Sequence, residues 1–363
     1  MREEKISSAQ LKGLLLAFTF GSSIIFIPGP AIKAAGNGAW LSILISGAAG
    51  FAILACLVPL HRRYPEMSAV QIFRILFGRV IAFCLSFLFI IVLTLMVANI
   101  TLGLGSFFTT TMMLETPLYI FHFFILLAAA CTVNAGVEVM ARMFAMFMPL
   151  IFGTIVAVLI SDLPLYEPGM LLPQFADGFR PILHGAYISY GFPYSEMFLF
   201  ALLIHFVRKE SKAAPGKELV KALAYNIAVF VAVVLCAVMV YGPVAGERKF
   251  MLYEMAKVIE IGGVFERVEA IAGIALITGS YMKAAIALKA LEVCVTHLFR
   301  LKSGRTVLFP MALLIFFVSL TMFPNAAQAE TFWSLYWPMI TTLGVLCVAA
   351  AAVMSFIRFR KPN

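Results

Sequence analysis

Charge is scarce in this chain. Asp, Glu, Lys and Arg together make up 12% of its 363 residues, about half the share of a soluble domain. Acidic residues are the scarcer kind, 18 against 27 Lys and Arg. The five histidines (His61, His122, His184, His205 and His297) show no metal-ligand spacing. HExxH, GxSxG and P-loop signatures are missing, so the sequence predicts no enzyme and calls for no cofactor or metal. The six cysteines (Cys56, Cys84, Cys131, Cys236, Cys294 and Cys347) lie in apolar segments without a CxxC pair. They read as buried, inert thiols. The net charge of +9 predicts no nucleic-acid partner, because the basic residues are scattered over loops. The first apolar run is long and no small-residue cleavage site follows it, so a removed signal peptide is not expected.

What is present is apolar. Hydrophobic residues are 63% of the chain and the mean hydropathy is +1.00, which predicts an all-α polytopic membrane protein. Apolar runs bounded by polar or Pro/Gly punctuation give ten spans: 10–33, 39–60, 80–106, 117–133, 139–161, 180–207, 219–242, 265–298, 306–324 and 332–357. The loop cations orient them. With the N-terminus in the cytoplasm, outer segments hold six basic residues (Lys33, Arg180, Arg248, Lys249, Lys257 and Arg267). Lys283 and Lys289 fall inside span eight, and the other 19 of the 27 lie in cytoplasmic segments. This is the positive-inside pattern, and it puts both termini in the cytoplasm.

Two spans are broken. Gly21-Ser22-Ser23 interrupts span one, which Pro28-Gly29-Pro30 closes. Tyr190-Gly191-Phe192-Pro193 interrupts span six. A break frees backbone groups that hydrocarbon cannot satisfy, so it persists only where those groups line a cavity. Breaks in the first and sixth of ten spans are five spans apart, an odd number, so the second half is inverted relative to the first. That predicts a LeuT-type five-plus-five inverted repeat, as in the amino acid/polyamine/organocation transporters. The expected divisions are a tail at 1–9, repeats at 10–161 and 180–357, and a tail at 358–363. In span one, the N–H groups of Gly21, Ser22, Ser23 and Ile24 open the outer half-helix at its positive end and suit a carboxylate. In span six, carbonyls around Ser189, Tyr190, Gly191 and Phe192 suit an ammonium. A donor site facing an acceptor site fits a zwitterionic amino acid.

Other polar residues lie at membrane depth. Lys283 is too deep in span eight to snorkel. It reads as a fixed cation where related transporters hold a coupling sodium, as a proton-titrating group, or as half of a structural ion pair. Glu196 is its candidate partner, or else a cap for the second half-helix of span six. Asn99 and Thr101 of span three, with Thr278 and Ser280 of span eight, either face the cavity or bond between helices. Residues 250–261 read as an amphipathic helix, with Met251, Met255, Val258 and Ile259 on one side, either a lid over the outer mouth or a surface-lying connector.

Several of these segments resemble one family. Ile6-Ser7-Ser8-Ala9-Gln10-Leu11 leads into an apolar helix ending at Pro28-Gly29. The run from Ile259 through Gly262-Gly263 and Glu266-Arg267-Val268-Glu269 to Ile271 is followed by Lys283. Tyr190-Gly191-Phe192 precedes Glu196. Together they are similar to the spore germination permeases, the GerAB-type B subunits of nutrient germinant receptors. The resemblance implies a subunit of the spore inner membrane that binds an amino acid or similar nutrient. It also implies partners, a receptor A subunit and a lipoprotein C subunit, to which binding is signalled so that ions are released. The expected ligand seat is Gly21, Ser22, Ser23, Ile24, Asn99, Ser189, Tyr190, Gly191, Phe192 and Thr278, with Lys283 and Glu196 as coupling or gating groups. The alternatives are a proton- or cation-coupled amino-acid symporter acting alone, and a scaffold subunit that binds no ligand.

Overall fold

The structure, a computed structural model, describes residues 4–176, 178–208, 215–257 and 268–360. Among them the only strand-like pairing is an isolated parallel bridge between Ile6 and Val207. Span one begins at a capping box. The Ser7 hydroxyl accepts from the Gln10 N–H at 3.2 Å, and the Gln10 side chain accepts from the Ser7 N–H at 2.8 Å, satisfying two donors that an open helix start would leave bare. The helix runs Ser8–Phe20, restarts as Ser23–Phe26 and continues as Pro28–Ala35. Span two is Ala39–Arg63.

A second capping box, Ser68 with Gln71, opens the helix Ala69–Phe107. That helix bends at Gly78, whose φ of 81° and ψ of 178° only glycine takes without strain. The bend divides a short entry piece from span three, near the position where the apolar run begins. Spans four and five are Leu118–Ala135 and Val137–Ser161, joined by Gly136 alone at φ 102°. Span six starts as Arg180–Ser189 and then breaks. Spans seven to nine are Pro215–Tyr241, Val268–Phe299 and Arg305–Thr321. Span ten runs from Ala326–Thr331 through a wide turn into Trp337–Arg360. Eight of the described helices are long and apolar enough to cross a bilayer. The 17-residue span nine and the broken span six complete the ten.

The bundle has a distinct middle. In spans one and eight, 72% of the most apolar window is buried, against 33% in spans five and ten. Span eight packs on spans three and one, and span two lies between spans six and seven. Outward faces carry bare apolar side chains such as Met146, Phe124, Leu313 and Met339. In lipid this exposure costs nothing, since acyl chains are as apolar as the side chains. Two of the cysteines read as buried, Cys84 and Cys131, are in fact on this outer surface, whereas Cys294 and Cys347 are buried. Span membership does not tell which helix face a residue occupies. The Ile259–Arg267 part of the family-like run, together with Val258, Lys209 and Lys212, lies outside the described residues.

Candidate ligand site at the two helix breaks

The break in span one follows from its residues. The Gly21 N–H gives the last helical bond, to the Ala17 carbonyl at 3.0 Å. The next ladder starts with the Ile25 and Phe26 N–H groups on the Ser22 carbonyl. The N–H groups of Ser22, Ser23 and Ile24 fall in the gap. Glycine at 21 is also a packing requirement. A Cβ there would lie 2.9 Å from the Lys283 Cβ and 3.2 Å from the Gly279 carbonyl oxygen. Gly279 repays the closeness, since a Cβ on it would sit 2.6 Å from the Gly21 oxygen. Spans one and eight therefore touch backbone to backbone beside the gap.

The break in span six works through acceptors. Pro193 has no N–H to return to the Ser189 carbonyl, and Phe192 is extended at φ −151°, ψ 113°. The Tyr190 and Gly191 carbonyls, expected to be free, instead accept from the Ser195 N–H and hydroxyl, because the chain closes into a wider turn past the proline. A Cβ on Gly191 would overlap the ring of Pro338 in span ten, so the break is pressed against that span.

Both breaks meet at one buried ion pair. The Lys283 ammonium lies 2.7 Å from Glu196 Oε2, with both side chains fully buried. It also donates to the Ser23 hydroxyl at 3.0 Å and stands 3.3 Å from the centre of the Phe192 ring, with Phe18 at 4.9 Å. The other Glu196 oxygen accepts from the Trp337 indole N–H at 2.9 Å. Each charge is thus held by hydrogen bonds, which is the condition for keeping it out of water. Four spans (one, six, eight and ten) are tied together by two charged side chains.

Of the residues singled out in the sequence, the structure gathers Gly21, Ser23, Phe192, Glu196 and Lys283 around this pair. Ser22, Asn99 and Ser280 are buried, and their side-chain polar atoms have no hydrogen-bond partner. Gly103 of span three faces Phe26. Ile24, two residues after Ser22, is buried. The Tyr190 hydroxyl accepts from Thr342 at 3.3 Å. Ser189, Thr101 and Thr278 return their hydroxyls to their own helices, at Gly185, Val97 and Ile274, and take no part in the ion-pair network. Sequence reasoning missed Trp337, Phe18 and the Ser195–Thr341 hydroxyl bond of 2.6 Å. Pro338 directly after an aromatic run in span ten was the available signal for the first.

Both ends of the bundle are covered. At one end the helix Met251–Lys257 buries Met251 and Met255, while Phe250 and Tyr253 set their rings edge-on to Phe107, and Phe250 does so to Phe26. Beside it, Asp162 is the first residue past span five. Its carboxylate is buried without a partner, and burial pushes its pKa up to about 6. At the opposite end the N-terminal segment is a strap. Ile6 exchanges backbone bonds with Phe206 and Arg208 at 2.8 and 2.9 Å, and Glu4 caps the start of span five at the Val137 N–H, 2.8 Å away. Next to it is a pocket of about 200 Å³ lined by Glu4, His205, Lys289, Glu292 and His297.

A ten-span bundle with breaks in spans one and six is the LeuT fold of secondary transporters. The structure of MhsT in complex with L-phenylalanine superposes with a TM-score of 0.71 at 14% identity, covering 99% of each chain. Mhp1, a nucleobase-cation-symport-1 family transporter, gives 0.72 at 11% identity, over 98% of this chain and 93% of Mhp1. Within that fold the sequence narrows the class. A family model described as "Spore germination protein" matches residues 5–327, and the chain belongs to that family. It is 26% identical over 341 residues to Spore germination protein KB of Bacillus subtilis (strain 168), covering 90% of this chain and 88% of that protein. Spore germination protein B2 of the same organism is 23% identical over 335 residues, at 89% and 88% coverage. The chain is an integral membrane protein of permease type, related to spore germination.

Proposed function

We propose that this chain is the nutrient-sensing subunit of a spore germinant receptor, and that a small amino acid or similar nutrient binds where the two breaks meet. The observation that carries the reading is the Lys283–Glu196 pair, which joins the breaks of both halves and binds Ser23, next in sequence to the buried, unpartnered Ser22. Buried polar groups without partners call for an explanation, and a ligand is one. The ligand carboxylate takes the N–H groups of Ser22, Ser23 and Ile24 at the positive end of the outer half-helix. Its ammonium takes the Ser189 carbonyl, since those of Tyr190 and Gly191 already accept from Ser195. A ligand that engages Ser23 or Phe192 competes with contacts that Lys283 makes, and so changes how four spans are tied. A differential affinity of about 5 kcal/mol is enough to reverse a strongly biased two-state equilibrium.

In this reading the chain sits in the spore inner membrane with both termini in the cytoplasm, as the loop cations favour. It signals to a receptor A subunit and a lipoprotein C subunit. A second reading, an amino-acid symporter acting alone, is favoured by the transporter fold.

The test pairs two measurements. Spores lacking the gene are expected to lose the response to one nutrient, and that nutrient is expected to raise the unfolding temperature of the purified full chain. An unchanged response to every nutrient, with no stabilisation by any, sinks the reading. Gradient-driven uptake by the chain alone in proteoliposomes replaces it with the symporter.

A further inference from the structure

A crevice of about 490 Å³ opens at the same end of the bundle as the N-terminal strap, well away from the ion pair. Its walls carry three guanidiniums, Arg74, Arg79 and Arg300, beside Val80, Phe83 and Phe299. Two backbone turns bring the arginines together. The bend at Gly78 sets Arg74 and Arg79 on either side of a corner. Arg300 ends span eight in the left-handed region at φ 54°, a conformation few residues other than glycine adopt. Arg74 is held in place by donating to the Leu298 carbonyl at 2.6 Å. Among the described residues none of the three forms an ion pair, although this chain pairs most of its other buried or clustered charges. From the crevice, span three continues along the outer surface as exposed Val80, Ile81, Phe83 and Phe87.

We infer that this crevice binds the headgroup of an anionic phospholipid, with its acyl chains lying along Val80–Phe87. Guanidiniums fork onto phosphate oxygens with two parallel bonds, and basic pockets between spans at a membrane face are suited to acidic headgroups. The three uncompensated charges supply the electrostatic match. The apolar strip leading away from them supplies a match that free phosphate or an acidic protein segment would leave unused.

The experiment is native mass spectrometry of the full-length detergent-purified protein, titrated in separate arms with cardiolipin, phosphatidylglycerol, phosphatidylcholine and inorganic phosphate. Retention of the two anionic lipids over phosphatidylcholine is expected. Each arginine replaced by Gln should weaken their binding about fivefold, and the triple variant about a hundredfold. Arg79→Lys and Arg300→Lys, which keep the charge but lose the fork, should weaken binding less than the Gln variants do, and an unchanged unfolding temperature shows that the variants are folded. Equal retention of phosphatidylcholine, or unchanged binding by the folded triple variant, overturns the inference. So does inorganic phosphate displacing the lipid at millimolar concentration. Co-purification of a partner protein that the triple variant loses while keeping its lipid would reassign the crevice to that protein.

Discussion

Lys283 and Lys289 stand on one helix, about 1.7 turns apart, yet they live in different media. Lys283 has no exposed surface, and its partners Glu196, Ser23 and Phe192 belong to other spans in both halves of the bundle. Lys289 borders the pocket beside the strap. Its partners are Glu292, less than one turn further on the same helix at 2.9 Å, and Glu4 of the strap at 3.9 Å. Depth in a span therefore does not assign a role to a charge. A charge bonded across helices reports how those helices are placed, whereas one bonded along its own helix does so only weakly.

The hardest test of this contrast is Lys283→Met. It leaves the Glu196 carboxylate buried with only the Trp337 indole, and should cost about 3–5 kcal/mol, read as a lower unfolding temperature in detergent. The nutrient response should also be lost. Adding Glu196→Gln should recover much of the stability, because the stranded charge is gone, but not the response. An unaltered response in Lys283→Met spores would remove the lysine from signalling.

Gly191→Ala sharpens the same point without touching charge. The new methyl meets Pro338 and should destabilise by about 1–3 kcal/mol. Gly13→Ala in span one is the control: a Cβ there meets nothing within 4 Å, and a gain of about 0.5–1 kcal/mol is expected.

Asp162 extends the comparison to the end of the bundle away from the strap. Its folded pKa is raised to about 6 by burial, above the ordinary carboxylate range. The folded state thus holds a proton that the unfolded chain releases. The stabilisation is complete below about pH 4 and is lost as pH rises through 6. Asp162→Asn should remove that slope and leave the protein about 1–2 kcal/mol more stable than the parent at pH 7, measured by thermal melts across pH 4–8.

The smallest effect belongs to Lys289→Ala. Its close partner Glu292 lies on its own helix and Glu4 is 3.9 Å away, so a loss of about 0.5–1 kcal/mol is expected. A loss as large as that of Lys283→Met would dissolve the distinction.

The ten spans and their two interruptions were legible in advance because a bilayer accepts little else. It demands long apolar helices, and it tolerates Gly-Ser or Gly-Phe-Pro breaks only at protected places. Lys283 and Glu196 stood out for a related reason, since ionisable residues at that depth are rare and costly. Trp337, Phe18 and Thr341 did not, because aromatic and hydroxyl side chains are ordinary in membrane spans and nothing local distinguishes the one that meets a carboxylate. The faces occupied by Cys84 and Cys131 were misread for a similar reason: spans that are apolar all round carry no stripe to orient them.

By itself, the sequence determined the class of molecule, the number of crossings and where the backbone would open, since each follows from local chemistry against a uniform apolar solvent. The tertiary structure alone decided which groups complete the opening. The meeting of Ser23, Glu196, Lys283 and Trp337 depends on how four helices separated by up to 314 residues are rotated and stacked. It depends as well on Gly21 and Gly279 bringing two backbones into contact. Packing sets those rotations, and packing is a property of pairs of faces that no single segment carries.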